Sequence, residues 1–363
     1  MSSLSLHELH AQIGGVFGEQ SGAEVVLNYA NPAAEHAALH TSAAAFDLGF
    51  RSRVCVIGAD RVKFLNGQVT NNVAALKTGE GCYATLVNAK GKVQSDFNIF
   101  ALADELLLDC EPGLTRAVTE RLEKYVIADD AQMIEAAPHY GLLSVQGPRA
   151  AEAVALLGLE TEPPKIPRSI AAINDATLGT LYLANLPRTG TAGFDLYVPA
   201  ASLAAVFDKL IAATRAVGGC AAGWQALETA RIEAGIPRFG ADFDETNLPS
   251  EAGLDATAVS YSKGCYIGQE IIARLRTYGH VAKALRGLRL ADHANALPAR
   301  GDKILKDGKE VGYVTSAVDS PTLHARLALG YVRREANEIG AELTVRSASG
   351  ECAARIVTLP FQG

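Results

Sequence analysis

No C-x-x-C pair occurs in the 363-residue chain, whose six cysteines (Cys55, Cys82, Cys110, Cys220, Cys265 and Cys352) stand singly. That scatter argues against a zinc or iron–sulfur site contained within one chain, so no self-contained metal site is expected. Single, dispersed cysteines also fit a reducing compartment better than a disulfide framework, and a cytoplasmic location is expected. There is no run of about 18 apolar residues, so no membrane span is expected. The first residues, Met1 to Glu8, have no basic region followed by a long apolar core and do not read as a secretory signal. Positive charge is not in excess: the formal net charge is −7. A broad nucleic-acid surface is therefore not expected. No internal period suggests a solenoid.

What is present is a well-cored globular composition, with 48% hydrophobic and 20% charged residues. The length predicts two or three domains. The first part reads as mixed elements. A short helix begins near Leu4, a strand covers Glu24 to Asn28, and helices cover Glu35 to His40 and Ala59 to Leu65. Cys82 to Asn88 and Lys92 to Phe100 are two β-rich runs around Gly91, which predicts a hairpin. Leu114, Val118 and Leu122 predict an amphipathic helix over 114–125. Further helices are predicted at 148–157, 201–217 and 224–234, with strands at 105–110, 141–145, 179–184 and 194–198. Together these predict an α+β arrangement, helices against antiparallel sheet. From about residue 284 the pattern changes to short alternating runs at 285–290, 303–305, 310–316, 325–332 and 343–346, which predict a small β barrel.

One stretch concentrates the chemistry: Lys263-Gly-Cys265-Tyr-Ile-Gly268-Gln269-Glu270, continuing to Arg274. The part after Gly268 reads as a helix with an acid in its first turn and Arg274 and Arg276 in its last. A cysteine near a helix N-terminus and beside a lysine is expected to be rich in thiolate. The alternative is a buried structural cysteine on a tight turn. From Lys263 to Arg289 there are six basic residues and one acid, while 241–262 holds five acids and no lysine or arginine. A local basic patch in an acidic chain suggests an anionic ligand, with a solvated charged face as the alternative.

The octet 263–270 resembles the signature of the YgfZ-type folate-binding proteins, relatives of the glycine-cleavage T-protein (aminomethyltransferase). The resemblance runs through Glu35-His36-Ala-Ala-Leu-His, Val56 to Gly67, Val87-Asn88-Ala-Lys-Gly-Lys-Val, Val145-Gln-Gly-Pro, Arg231-Ile-Glu233-Ala-Gly-Ile-Pro, Leu248 to Leu254, and the C-terminal Val311-Gly-Tyr-Val and Ala328-Leu-Gly-Tyr-Val. It implies a three-lobed cloverleaf around a central folate channel. Residues 1–280 would form the folate-binding region of two intertwined α+β lobes, one of them roughly 50–138. Residues 284–360 would form the C-terminal barrel.

The resemblance implies tetrahydrofolate, or a folate derivative, as cofactor. It also implies a role in assembly or repair of iron–sulfur enzymes, with iron–sulfur proteins or their assembly factors as partners and tRNA modification among the dependent processes. Folate-binding positions carried over are Glu233, which matches the residue that holds the pteridine, together with Asp96, Asn88, Gln269 and Arg274. Paired N–H groups of a pteridine suit a carboxylate, and the anionic folate tail suits Arg274 or Lys263. Read as bare residues, Glu233 is a helix-surface acid, Asp96 a polar residue on an exposed strand face, and Arg274 and Lys263 solvated cations. The T-protein's aspartate pair reads Ser95-Asp96 here, which predicts that the chain does not replace the T-protein. Cys265, with Lys263 beside it, is the candidate functional thiol: a nucleophile, a shared cluster ligand or a redox sensor. His280, fifteen residues on, is the base it would call for if a nucleophile. The alternatives to the iron–sulfur role are a folate-dependent aminomethyltransferase, or other one-carbon transferase, and a non-catalytic adaptor with a vestigial pocket. Whether the chain is an enzyme stays open at this point.

Overall fold

The computed structural model describes residues 3–291 and 296–362. Met1 and Ser2, at the start of the N-terminal stretch read above, lie outside them. Two compact units emerge, interlaced along the chain: one takes in Met1–Leu86, Ser95–Leu227 and Ser262–Tyr266, the other Val87–Gln94, Glu228–Tyr261 and Ile267–Gly363. The octet is thus divided in the chain after Tyr266. No described helix is long and apolar enough to cross a membrane.

The first unit is built on two sheets. In one, six strands run in the order Ile170–Asp175, Gly179–Asn185, Gly193–Pro199, Tyr140–Gln146, Ala44–Asp47 and Cys220–Ala221. Neighbours are antiparallel except the last pair. The helix Leu203–Ala216 places Leu203, Val206, Phe207, Leu210 and Ile211 on one buried stripe, the 3.6-residue period of a helix on a sheet. The other sheet runs Gly81–Val87, Val93–Ala101, Glu105–Cys110, Ser52–Ile57 and Gln132–Glu135. The helices Arg61–Asn66 and Thr115–Glu123 bury Phe64, Leu65, Val118 and Leu122 in its core. The predicted hairpin is present. Asn88 shapes its tip, its Oδ1 accepting from the backbone N–H of Lys90 at 2.9 Å and of Lys92 at 3.1 Å.

The second unit contains a closed barrel of six strands, in the order Lys283–Leu290, Ala325–Arg333, Lys309–Ser320, Lys303–Lys306, Glu342–Ser347 and Gly350–Val357. Ala328 and Val332 point into its core, while Leu327, Leu329 and Tyr331 of the same strand join a second apolar cluster with Ile232 and Phe361. That strand is therefore buried on both faces and reads as a nearly continuous apolar run. Gly312 is required where strands press together, since a Cβ there would lie 1.9 Å from Tyr331 O.

The sixth barrel strand, Gly350–Val357, is absent from the pattern reading above. It buries only Cys352, Ala354 and Ile356, and two of these three are small. Among the further strands left unread are Val16–Gln20, which pairs with Ala23–Asn28, the largely exposed edge strand Gln132–Glu135, and Ile170–Asp175. None presents a continuous apolar face.

Candidate functional site

Asp96 is buried, which sets aside the alternative of a polar residue on an exposed strand face. It sits on Val93–Ala101, and its Oδ2 accepts the Tyr83 hydroxyl at 2.6 Å. Its Oδ1 is buried with no hydrogen-bond partner. Burial, with the negative charges of Glu111 and Asp109 adding to it, pushes the carboxyl up to about 7 against the pull of Tyr83 and Arg51. A carboxyl in that state exchanges a proton near neutrality, which suits acid–base work on a nitrogen.

The groups that set this field are ion pairs within the same unit, and the sequence reading missed them all. Arg51 donates to Asp109 Oδ1 at 2.7 Å and Glu111 Oε1 at 2.6 Å. Arg188 donates to Asp109 Oδ2 at 2.8 Å and Asp195 Oδ2 at 2.5 Å. Asp109 and Asp195 lie on different sheets, so Arg188 ties the two. The paired arginines hold Asp109 well below the usual carboxylate range. One signal was available: Asp109 interrupts an otherwise apolar strand, Glu105-Leu-Leu-Leu-Asp-Cys, where an unpaired charge would be costly.

The octet differs from expectation at Lys263. Rather than lying open beside Cys265, Lys263 is buried, and its Nζ donates to three backbone carbonyls, of Asn66 at 2.5 Å, Val69 at 2.8 Å and Asn71 at 2.9 Å. An ammonium with three donors so placed is held in the structure and is not presented to an anionic tail. The Tyr266 ring lies 5.0 Å away, and burial pulls the amine down to about 8. Gly268 caps the helix Gln269–Tyr278 at φ +82°, a conformation glycine adopts freely. A Cβ there would come within 2.4 Å of Asn88 O, so this glycine is set by the hairpin tip. Gln269 is the first helical residue and half-buried; Arg274, on the same helix, is exposed.

The cations of the basic stretch are engaged one by one. Besides buried Lys263, Arg276 stacks 4.0 Å over Tyr261, Lys283 donates to the Tyr313 hydroxyl at 2.9 Å, and Arg286 donates to Asn337 O at 3.0 Å. Arg274 and Arg289 face solvent. His280 is exposed and lines a groove with Asp255, Tyr261 and Arg276.

Glu233 ends the helix Trp224–Glu233 and is buried, not on the helix surface. Its Oε1 accepts the Ser320 hydroxyl at 2.5 Å, and its backbone carbonyl accepts the Phe361 N–H at 3.0 Å. The carboxylate is thereby oriented within its own unit.

Cys265 is exposed, while Cys55, Cys110 and Cys352 are buried and Cys82 and Cys220 half-buried. Burial raises all five of the others, Cys82 to about 11. Iodoacetamide at pH 7.5 is therefore expected to label Cys265, the exposed thiol, several-fold faster than half-buried Cys220 or Cys82 in the native protein. Time-resolved peptide mass spectrometry measures each rate. Equal labelling of Cys265 and Cys220 would show that exposure confers no advantage there.

A two-sheet α+β unit and a closed six-stranded β barrel are the two parts of the architecture. The GCVT N-terminal domain family matches residues 6–263, and the glycine cleavage T-protein C-terminal barrel domain family matches residues 283–362. The chain belongs to the glycine cleavage T-protein family. It is 30% identical over 361 residues to an aminomethyltransferase of Halalkalibacterium halodurans, covering 98% of this chain and 96% of that one. With an aminomethyltransferase of Saccharopolyspora erythraea the identity is 30% over 358 residues, at the same coverage. The crystal structure of the glycine cleavage system aminomethyltransferase T from Bartonella henselae superposes with a TM-score of 0.89 at 25% identity, covering 99% of this chain and 98% of that one.

Proposed function

We propose that the chain is a tetrahydrofolate-dependent one-carbon transferase of the aminomethyl type. The observation that carries this reading is Asp96: a buried carboxyl kept near neutrality, with Oδ2 fixed by Tyr83 and Oδ1 unpartnered. An N–H of a reduced folate supplies the donor that Oδ1 lacks. Bound folate would bring the nitrogens that accept a one-carbon unit. As two N–C bonds form and the C–N and C–S bonds of the aminomethyl-lipoyl group break, Asp96 would take one of the two N–H protons and return it to the departing amine, the other going to the lipoyl sulfur. Glu233 matches the family residue that holds the pteridine, and its Oε1 accepts the Ser320 hydroxyl. Relatives named aminomethyltransferase along nearly the whole chain support this reading over the iron–sulfur role that the octet implies.

The test is release of ammonia from an aminomethyl-lipoyl carrier protein in the presence of tetrahydrofolate. Turnover is expected; none, with folate bound, would sink the transferase reading. Glu233→Ala is expected to weaken folate binding by roughly tenfold or more, since each unpaired buried N–H costs about 1–3 kcal/mol. Unchanged affinity by calorimetry would remove Glu233 from the site.

A second reading keeps a specific observation. The octet 263–270 presents the exposed thiol of Cys265, and the family that shares the octet implies support of iron–sulfur enzymes. Loss of iron–sulfur enzyme activity in a deletion strain, restored by the wild type and not by Cys265→Ala, would favour it.

A further inference from the structure

Arg168 is a half-buried cation with no counterion. Its Nε is buried without a hydrogen-bond partner, and no carboxylate among the described residues pairs with its guanidinium. This sets it apart from Arg51 and Arg188 in the same unit, each of which is engaged by two acids. Burying a guanidinium without an anion is costly, and burial does pull this one below its ordinary value. The group is nonetheless held in place. Its backbone is left-handed at φ +62°, its N–H donates to Asn185 O at 2.7 Å, and its carbonyl lies so near Gly81 that a Cβ there would be 2.7 Å away.

The position of Arg168 relates it to Asp96. Its Cζ lies 5.6 Å from the centroid of the Tyr83 ring, and the hydroxyl of that ring donates to Asp96 Oδ2. A cation without a counterion and a carboxyl with an unpartnered oxygen therefore both neighbour one aromatic ring, the first over its face and the second at its hydroxyl. Folate has the complementary arrangement: one aromatic ring, the p-aminobenzoyl group, separates the N10 amine from the glutamate carboxylates.

We infer that Arg168 anchors the anionic tail of the ligand whose N–H meets Asp96. This rests on the folate reading above and adds the residue that reads the tail. Exposed Arg274 and buried Lys263, the candidates from sequence, are not required for that contact. The tail carboxylate would supply the counterion that Arg168 lacks, beside the Tyr83 ring that lies 5.6 Å from its Cζ.

The experiment is calorimetry of the full chain with two probes: 5-formyltetrahydrofolate, and its bisamide, in which both tail carboxylates are carboxamides. The wild type is expected to prefer the acid. In Arg168→Gln, affinity for the acid should fall roughly 10- to 100-fold, the range of one charge-assisted hydrogen-bonded contact, while affinity for the bisamide stays unchanged. Arg168→Lys should keep part of the preference, since it retains charge without the planar fork. If Arg168→Gln binds the acid as well as wild type does, or loses both probes equally, the assignment of Arg168 falls while the folate reading stands. Failure of the wild type to bind either probe would overturn the folate reading and this inference together.

Discussion

Lys263→Met is expected to lower the unfolding free energy by roughly 2–4 kcal/mol, out of proportion to the loss of one surface charge. Methionine fills a similar volume and is apolar, so packing around Tyr266 is largely kept. What is lost is the donor to Asn66 O, Val69 O and Asn71 O. These carbonyls belong to the main chain and cannot be removed with their partner. Asn71 O also accepts the Val73 N–H at 3.2 Å, so the full cost of three orphaned acceptors is not expected. Lys92 provides the control. It too donates to a backbone carbonyl, Thr246 O at 2.9 Å, but from a partly exposed position where water can take its place. Lys92→Met should change stability by no more than about 0.5 kcal/mol. Urea denaturation of the three proteins gives both differences. If Lys263→Met falls within about 0.5 kcal/mol of wild type, the carbonyls accept from water and the cage is not a structural element.

Lys263 also shows where sequence reading stops. The octet was legible as a glycine-punctuated turn leading into a helix, and the helix begins at Gln269. A lysine two residues from a cysteine reads as an electrostatic neighbour, because sequence spacing is all that is visible. Its actual partners are 192 to 197 residues away along the chain. The same limit applies to Arg51, Asp109, Arg188 and Asp195, whose pairing depends on which sheet edges meet. Amphipathic elements fared better: the stripe of Leu203–Ala216 and the hairpin around Gly91 are local patterns, and both are present. The barrel was legible as a class because five of its strands alternate or bury large residues. The sixth, closing strand was not, because alanine and cysteine at its inward positions carry little hydropathy contrast. Asp96 and Glu233 were found through resemblance. Their burial and the unpartnered oxygen of Asp96 required coordinates.

Asp96→Asn is expected to have opposite effects on stability and on catalysis. In the wild type, the native state holds the Asp96 proton up to about pH 7, whereas the unfolded chain releases it near the ordinary 3.8. Between these values the native state binds more protons than the unfolded state, so stability falls as pH rises from about 4 to 7 and stays lowered above that. Asparagine cannot ionise, and its amide oxygen can still accept the Tyr83 hydroxyl. The variant should therefore match wild type near pH 4 and exceed it at pH 8, by up to about 4 kcal/mol if the whole shift is expressed. Ammonia release should fall by roughly 10²–10⁴-fold, the usual contribution of a positioned acid–base group. Folate affinity should change far less, because an amide oxygen still accepts from the ligand N–H. Thermal melts at pH 4, 6 and 8, with turnover measured on the same preparations, separate the two effects. A variant that is less stable at every pH would mean that Asp96 is ionised and paired in the native state, and full turnover in a stable variant would place the proton transfer elsewhere.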